Sequence, residues 1–177
     1  VLDNIPARTA SPKVVYGTNG ENQGFAVTLK ADGTVWTWGN NAYGQLGDGT
    51  VGHNTYEVSP IQVRGPGGIG YLTGIIDITA GDNFVVALAA DGTLWSWGYN
   101  NSGRLGAGVT DSYMVFPVRV LTGAQNDESG YLSNIVAIVA GTDHVLALDK
   151  DGNVWAWGNN ATSQIGSQSR KANYTTP

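Results

Sequence analysis

The 177-residue sequence has no cysteine, which excludes disulfide staples and cysteine-based metal sites. Its two histidines, His53 and His144, stand far apart in unlike contexts, so no histidine cluster for a metal is legible. Charge is also scarce. Only 13% of residues are charged, and nine Lys and Arg against fourteen Asp and Glu leave a net charge of −5. The basic residues are scattered, which excludes the positive footprint that nucleic acid or an anionic membrane surface requires. No apolar run approaches the roughly 20 residues that span a bilayer, and no signal-peptide core is legible. No Ser-His-Asp set, G-x-S-x-G elbow or phosphate-cradling loop leading into a helix is found. The expectation is a protein without metal or cofactor that is not an enzyme, does not bind nucleic acid and does not insert into a membrane.

What the chain has in plenty is glycine, 26 residues, roughly twice average usage, and six tryptophans that must be packed or used for binding. Self-similarity explains both. Ala31-Asp-Gly-Thr-Val-Trp-Thr-Trp-Gly-Asn-Asn returns as Ala90-Asp-Gly-Thr-Leu-Trp-Ser-Trp-Gly-Tyr-Asn and as Lys150-Asp-Gly-Asn-Val-Trp-Ala-Trp-Gly-Asn-Asn, placing Trp38, Trp97 and Trp157 about sixty residues apart. Upstream, Ile75-Ile-Asp-Ile-Thr-Ala-Gly matches Ile135-Val-Ala-Ile-Val-Ala-Gly, and Phe25-Ala-Val-Thr-Leu is a partial first copy. Downstream, Gly44-Gln-Leu-Gly recurs as Gly103-Arg-Leu-Gly and Ser163-Gln-Ile-Gly, and Pro60-Ile-Gln-Val as Pro117-Val-Arg-Val. A fixed long period of this kind marks a repeat architecture.

Each unit reads as short strands. Residues 26–29 and 34–38 flank Lys30-Ala-Asp-Gly, a turn with Gly33 in the left-handed region, repeated at Gly92 and Gly152. Asp32, Asp91 and Asp151 are read as turn residues bonding the backbone two positions on. By the period of two, Trp36 and Trp38 share one face of a strand while Val35 and Thr37 take the other. Val86 and Leu88 oppose Ala87 on the partner strand, as Leu146 and Leu148 oppose Ala147. Sheets apolar on both faces are built to stack between two similar sheets, as propeller blades do.

The succession A-G-x-x-H/F-x-x-A-L, D-G-x-V-W-x-W-G-x-N-x-x-G-Q-L-G and P-x-x-V resembles the RCC1 (regulator of chromosome condensation) repeat over about residues 13–177. The resemblance implies an all-β fold: propeller blades of about four antiparallel strands, three of them, as part of a larger ring. The expected division is a lead-in over 1–12, repeats over 13–74 and 75–134, and a third over 135–177 that stops before its last strand. Neither Val1–Ser11 nor Ser167–Pro177 shows the pattern of a capping element. With Val1 in place of Met, the chain reads as an excised or processed segment, the remaining blades being supplied from outside it or by other copies of the chain. Gly-Tyr-Leu inserts at 70–72 and 130–132 lengthen the units and resemble bacterial members of the family. That resemblance, with the low charge and the Asn, Thr, Ser and Gly content, points to an extracellular or cell-surface bacterial protein.

His144 stands where other units have Phe25 and Phe84 and is read as packed near the propeller axis. Bacterial RCC1-like proteins that bind other proteins use two loop sets on one face of the disc. Carried onto this chain, the first set is Gln23 and Gly24, Asp82 and Asn83, and Thr142 and Asp143. The second is Asn41, Ala42 and Tyr43, then Asn101 and Ser102, then Ala161 and Thr162, with Tyr99 beside it. Tyr56, Tyr71, Tyr113 and Tyr131 are a further group assigned to the inserts, with Tyr71 and Tyr131 expected to pack against their own blades. Three N-glycosylation patterns begin at Asn100, Asn160 and Asn173 and carry no weight in loops of this composition. The implied function is a non-catalytic protein-binding or scaffold module of a larger protein. Self-assembly into rings or filaments through uncapped blade faces is the alternative, and guanine-nucleotide exchange on a small GTPase ranks below both.

Overall fold

A computed structural model describes residues 8–18, 23–53, 55–109, 111–123, 130–166 and 173–177. It holds three four-stranded antiparallel sheets in chain order. The first contains β1 (Lys13–Gly17), β2 (Phe25–Leu29), β3 (Val35–Asn40) and β4 (Tyr56–Gln62). The second contains β5 (Ile75–Gly81), β6 (Phe84–Ala89), β7 (Leu94–Tyr99) and β8 (Tyr113–Arg119). The third contains β9 (Ile135–Ala140), β10 (His144–Asp149), β11 (Val154–Asn159) and β12 (Asn173–Tyr174). The third unit therefore does not stop before its last strand: Asn173 and Tyr174 pair with Asn159 and Gly158 and begin it. Among the described residues the Gly-Tyr-Leu inserts add no strand; they carry the isolated bridges Arg64–Tyr71 and Leu121–Tyr131.

Each hairpin turn forms for the reasons its residues supply. Gly33, Gly92 and Gly152 sit at φ +78, +82 and +89, a region open to glycine at little steric cost. Asp32 and Asp91 accept the amides of Thr34 and Thr93, as an Asp in a turn is expected to do. In the third unit the carboxylate has moved. Asp149, in the register of Lys30 and Ala89, accepts the amides of Asp151 and Asn153, the Asn153 carboxamide and the Trp155 indole. The bonds from Asn153 and Trp155 pull its carboxyl down to about 2.

A carboxyl with a depressed folded-state pKa adds stability above its unfolded value and loses it as pH falls through the folded one. Wild type is therefore expected to lose more stability than Asp149→Asn between about pH 4 and pH 2. Urea midpoints across that window check this, and equal losses in the two proteins contradict it.

The third and fourth strands of the first two blades share one irregularity. Register slips between Thr37 and Gly39 and between Ser96 and Gly98, which bulges β4 and β8 opposite Trp38 and Trp97. Pro60 and Pro117 lie at these bulges, where a missing N–H breaks no ladder bond.

The core lies between blades rather than within them. Val27, Leu29, Val35 and Leu46 of the first blade meet Ile78, Val85, Ala87 and Trp97 of the second. Val86, Leu88, Leu94 and Leu105 of the second meet Ile138, Val145, Ala147 and Trp157 of the third. Alternation along β6 thus sends Val85 and Ala87 one way and Val86 and Leu88 the other, the two-faced pattern that stacking requires. The lead-in takes part in this packing: Ala10 packs on the first core, and Arg8 donates to the carbonyls of Ile135 and Val136 at 2.8 and 2.7 Å. Residues 1–7 lie outside the described residues. Among the described residues no helix is long and apolar enough to cross a membrane.

Candidate functional site

Antiparallel order places the loops after β1, β5 and β9 and the loops after β3, β7 and β11 at the same end of the blades, here called the upper face. The W-G-x-N-x-x-G loops are built around one asparagine each. The Oδ1 atoms of Asn41, Asn100 and Asn160 accept the amides of Leu46, Leu105 and Ile165. All three asparagines are buried. Asn41 is thus a pin rather than a contact residue, and the glycosylation patterns at Asn100 and Asn160 present buried carboxamides.

The two loop sets are cross-linked where the first and second blades meet. Gln45 Nε2 donates to Asn83 Oδ1 at 3.0 Å, and Thr18 Oγ1 donates to Asp82 Oδ1 at 2.7 Å. Asn83 is 6% exposed with φ +60, so it holds the face together and offers little surface, contrary to its expected contact role. Gln23 accepts from Asn40 Nδ2, and Asp143 from Asn159 Nδ2. Thr142 and Asn101 are exposed; the Thr142 carbonyl accepts the Asp82 amide and the Asn101 carbonyl accepts Arg104 Nε. Thr162 is exposed and bonds within its own loop, to Gln164.

An aromatic stack crosses this seam. The rings of Tyr43 and Tyr99 lie 4.3 Å apart with a 36° tilt, and His53 meets Tyr43 edge-on at 6.3 Å. Beneath them the Arg104 guanidinium lies 4.9 Å from the Tyr99 ring and 5.6 Å from Phe84. Arg104 is 5% exposed and donates to the carbonyls of Asn101 and Asp82. Burial pulls the guanidinium below its ordinary pKa, while Asp143, Tyr99 and Asp82 work in the opposite direction.

Arg104 and His53 are absent from the residues expected on sequence grounds. Arg104 had a signal, since it replaces the Gln of the other two units in the G-Q-L-G turn. His53 had none, because Val51-Gly-His-Asn, the stretch of the loop that carries it, does not recur in the other units.

Tyr56 and Tyr113 prove to be strand residues, paired with Asn40 and Tyr99, rather than parts of the inserts. Tyr71 and Tyr131 pack on their own blades, beneath Arg64 and Arg119 at 5.1 and 5.0 Å. His144 pairs with Gly158 as Phe84 pairs with Gly98 and Phe25 with Gly39, which places it in the register of the two phenylalanines. Among the described residues no three His, Asp or Glu are grouped to hold a metal ion.

The family model for the regulator of chromosome condensation (RCC1) repeat matches residues 32–88 and 91–148, more than half of the chain. The chain belongs to the RCC1-repeat family. A second model of the same repeat matches 75–104 and 135–164. Human E3 ubiquitin-protein ligase HERC2 is 32% identical over 154 residues, 87% of this chain and 3% of that protein. The ultraviolet-B receptor UVR8 of Arabidopsis thaliana is 29% identical over 158 residues, 84% of this chain and 32% of that protein. Among solved structures, yeast RCC1 (Prp20) bound to Kap60 aligns with a TM-score of 0.72 at 20% identity, over 93% of this chain and 36% of that one. Human WBSCR16 aligns with a TM-score of 0.70 at 24% identity, over 86% and 36%. These likenesses establish the RCC1 propeller fold. This chain spans 3% to 36% of the relatives named here.

Proposed function

We propose that this RCC1-repeat chain is a non-catalytic protein-binding module of a larger protein, and that its contacts centre on Tyr43 and Tyr99. The observation that carries this reading is the Tyr43–Tyr99 stack over buried Arg104. Aromatic and Arg side chains supply most of the energy at protein interfaces, and a stack cross-linked between two blades loses little conformational freedom on binding. Asn101, Thr142, Asp82 and Asp143 form the polar surround. The RCC1 propeller fold supports a protein-binding role, and the structural neighbour Prp20p is described as binding Gsp1p and histones.

Exchanging both tyrosines, Tyr43→Ala with Tyr99→Ala, is expected to weaken partner capture at least tenfold, a loss of about 1.4 kcal/mol or more. Pull-down of the wild type and the double variant, with folding checked by circular dichroism, tests this. Undiminished capture by a folded double variant overturns the reading. The same reading places the protein at a bacterial cell surface or outside the cell. Its support is the low charge and the Asn-, Thr- and Ser-rich loops, and secretion or surface labelling in the source cell tests it.

A further inference from the structure

The seam between the first and second blades and the seam between the second and third are built at equivalent positions from different chemistry. At the first, Gln45 Nε2 donates to Asn40 Oδ1 of its own blade at 2.7 Å and to Asn83 Oδ1 of the next at 3.0 Å, a chain of three carboxamides. One blade on, the same positions hold Tyr99 and Arg104, with Asp143 of the third blade. An all-amide seam has become a ring, a cation and a carboxylate, and all three positions change together.

The exchange alters what the turn can do. Gln45 and Gln164 each close their own loop by accepting an amide, from Tyr43 at 2.8 Å and from Thr162 at 2.9 Å. A guanidinium has no acceptor, and Arg104 donates instead, through Nε to the Asn101 carbonyl at 2.8 Å and through Nη1 to the Asp82 carbonyl at 3.1 Å. Burying it costs desolvation free energy that a carboxamide in the same turn avoids, and the opposite charge of Asp143 offsets part of that cost. What the second unit has in return is Tyr99. A planar guanidinium can lie on an aromatic ring while its N–H groups stay bonded at its rim, and Arg104 stands 4.9 Å from the centre of the Tyr99 ring.

We propose that Arg104 is a positioning residue for the upper face: tied to two carbonyls, it holds the Tyr99 ring against Tyr43, and Asp143 is the charge that lets it do so from a buried site. The inference rests on the reading that Tyr43 and Tyr99 are the contact residues, and it names what sets their pose. Arg104 touches no partner in this role. Its effect reaches the surface through Tyr99, whose ring, already fixed, has little freedom left to lose on binding. All of these groups meet at the seams that the three blades form with one another.

Arg104→Gln with Asp143→Asn rebuilds at this seam the carboxamide pair that Gln45 and Asn83 already make, so the double variant is expected to fold with a urea midpoint close to that of wild type. Its two tyrosine rings are expected to part. Nuclear Overhauser contacts between the Tyr43 and Tyr99 rings, read in tyrosine-labelled protein, are expected in wild type and lost in the folded double variant, with the Tyr99 ring resonances moving towards those of an exposed tyrosine. A role confined to stability would leave those contacts in place once the seam is repaired. If the double variant does not fold, Arg104→Lys, which keeps the charge facing Asp143 and gives up the planar fork, takes its place and is expected to lose the contacts too. Contacts that persist in the folded variant overturn this proposal alone. Contacts absent already in wild type overturn it together with the reading it rests on.

Discussion

Replacing Trp97 by alanine is expected to destabilise the protein by about 3–5 kcal/mol, the range for deleting a buried tryptophan ring. The indole is fully buried between the first and second blades, and its removal empties the seat over Gly47 and leaves the Gln45 carbonyl without its donor. Trp157→Ala removes the same plug between the second and third blades and is expected to fall in the same range. Trp38→Ala removes a half-buried ring and is expected to have well under half the effect. In a stack of units that contact only their neighbours, stability resides in these interfaces. Urea unfolding followed by far-ultraviolet circular dichroism, at concentrations where the chain is monomeric, gives the comparison. Equal losses at all three positions contradict the seat.

Gly98→Ala is expected to be nearly as damaging, about 3 kcal/mol or more, from backbone strain and overpacking together. Gly98 has φ +99, and an added Cβ would stand 2.3 Å from the Asn83 carbonyl oxygen and 2.9 Å from the Phe84 Cα. Both neighbours are backbone, so no side chain can swing aside. Gly67→Ala is the control. Its φ is +63 with nothing within 4 Å of the added methyl, so only the left-handed strain applies, about 1–2 kcal/mol. The Gly98 clash has a functional consequence too, because the adjacent Tyr99 amide donates to Asn83 O at 2.8 Å. Shifting that strand moves one half of the tyrosine stack. Thermal denaturation of the two variants separates them, and a Gly98 variant no less stable than the Gly67 variant contradicts the close-packed geometry.

The blades were legible in the sequence because the repeat shows each physical requirement three times. Asp-Gly turns, alternating apolar residues around Ala87 and Ala147, and the W-x-W-G strand each state a local rule. The four-stranded sheets with two apolar faces follow from those rules together. The closing strand of the third unit was missed because Asn173 and Tyr174 have no apolar alternation to announce them. Their pairing is set by β11, which is already in place. Likewise Asp149 takes over the turn in the third unit from a position that holds Lys30 and Ala89 in the others, so alignment alone pointed to Asp151.

The candidate site was legible as a set of loops and not as a surface. Tyr43 and Tyr99 were both found, yet their 4.3 Å stacking depends on the angle between two blades, which no single repeat encodes. Asn83 and Asn41 stand in the right loops, but burial turns them into struts. Arg104 stands in the sequence where the other units have Gln45 and Gln164. Only the fold brings its guanidinium beneath the ring of Tyr99.

The measurement that bears most directly on the binding role compares partner capture by three forms of the protein: wild type, the Tyr43→Ala with Tyr99→Ala variant, and Ile69→Asp. Ile69 is 84% exposed and lies in the loop between β4 and β5, at the end of the blades opposite the tyrosine stack. Capture lost with the tyrosines and retained with Ile69→Asp is the result expected. Capture retained without the tyrosines and lost with Ile69→Asp would put the binding surface on the opposite face and contradict the account.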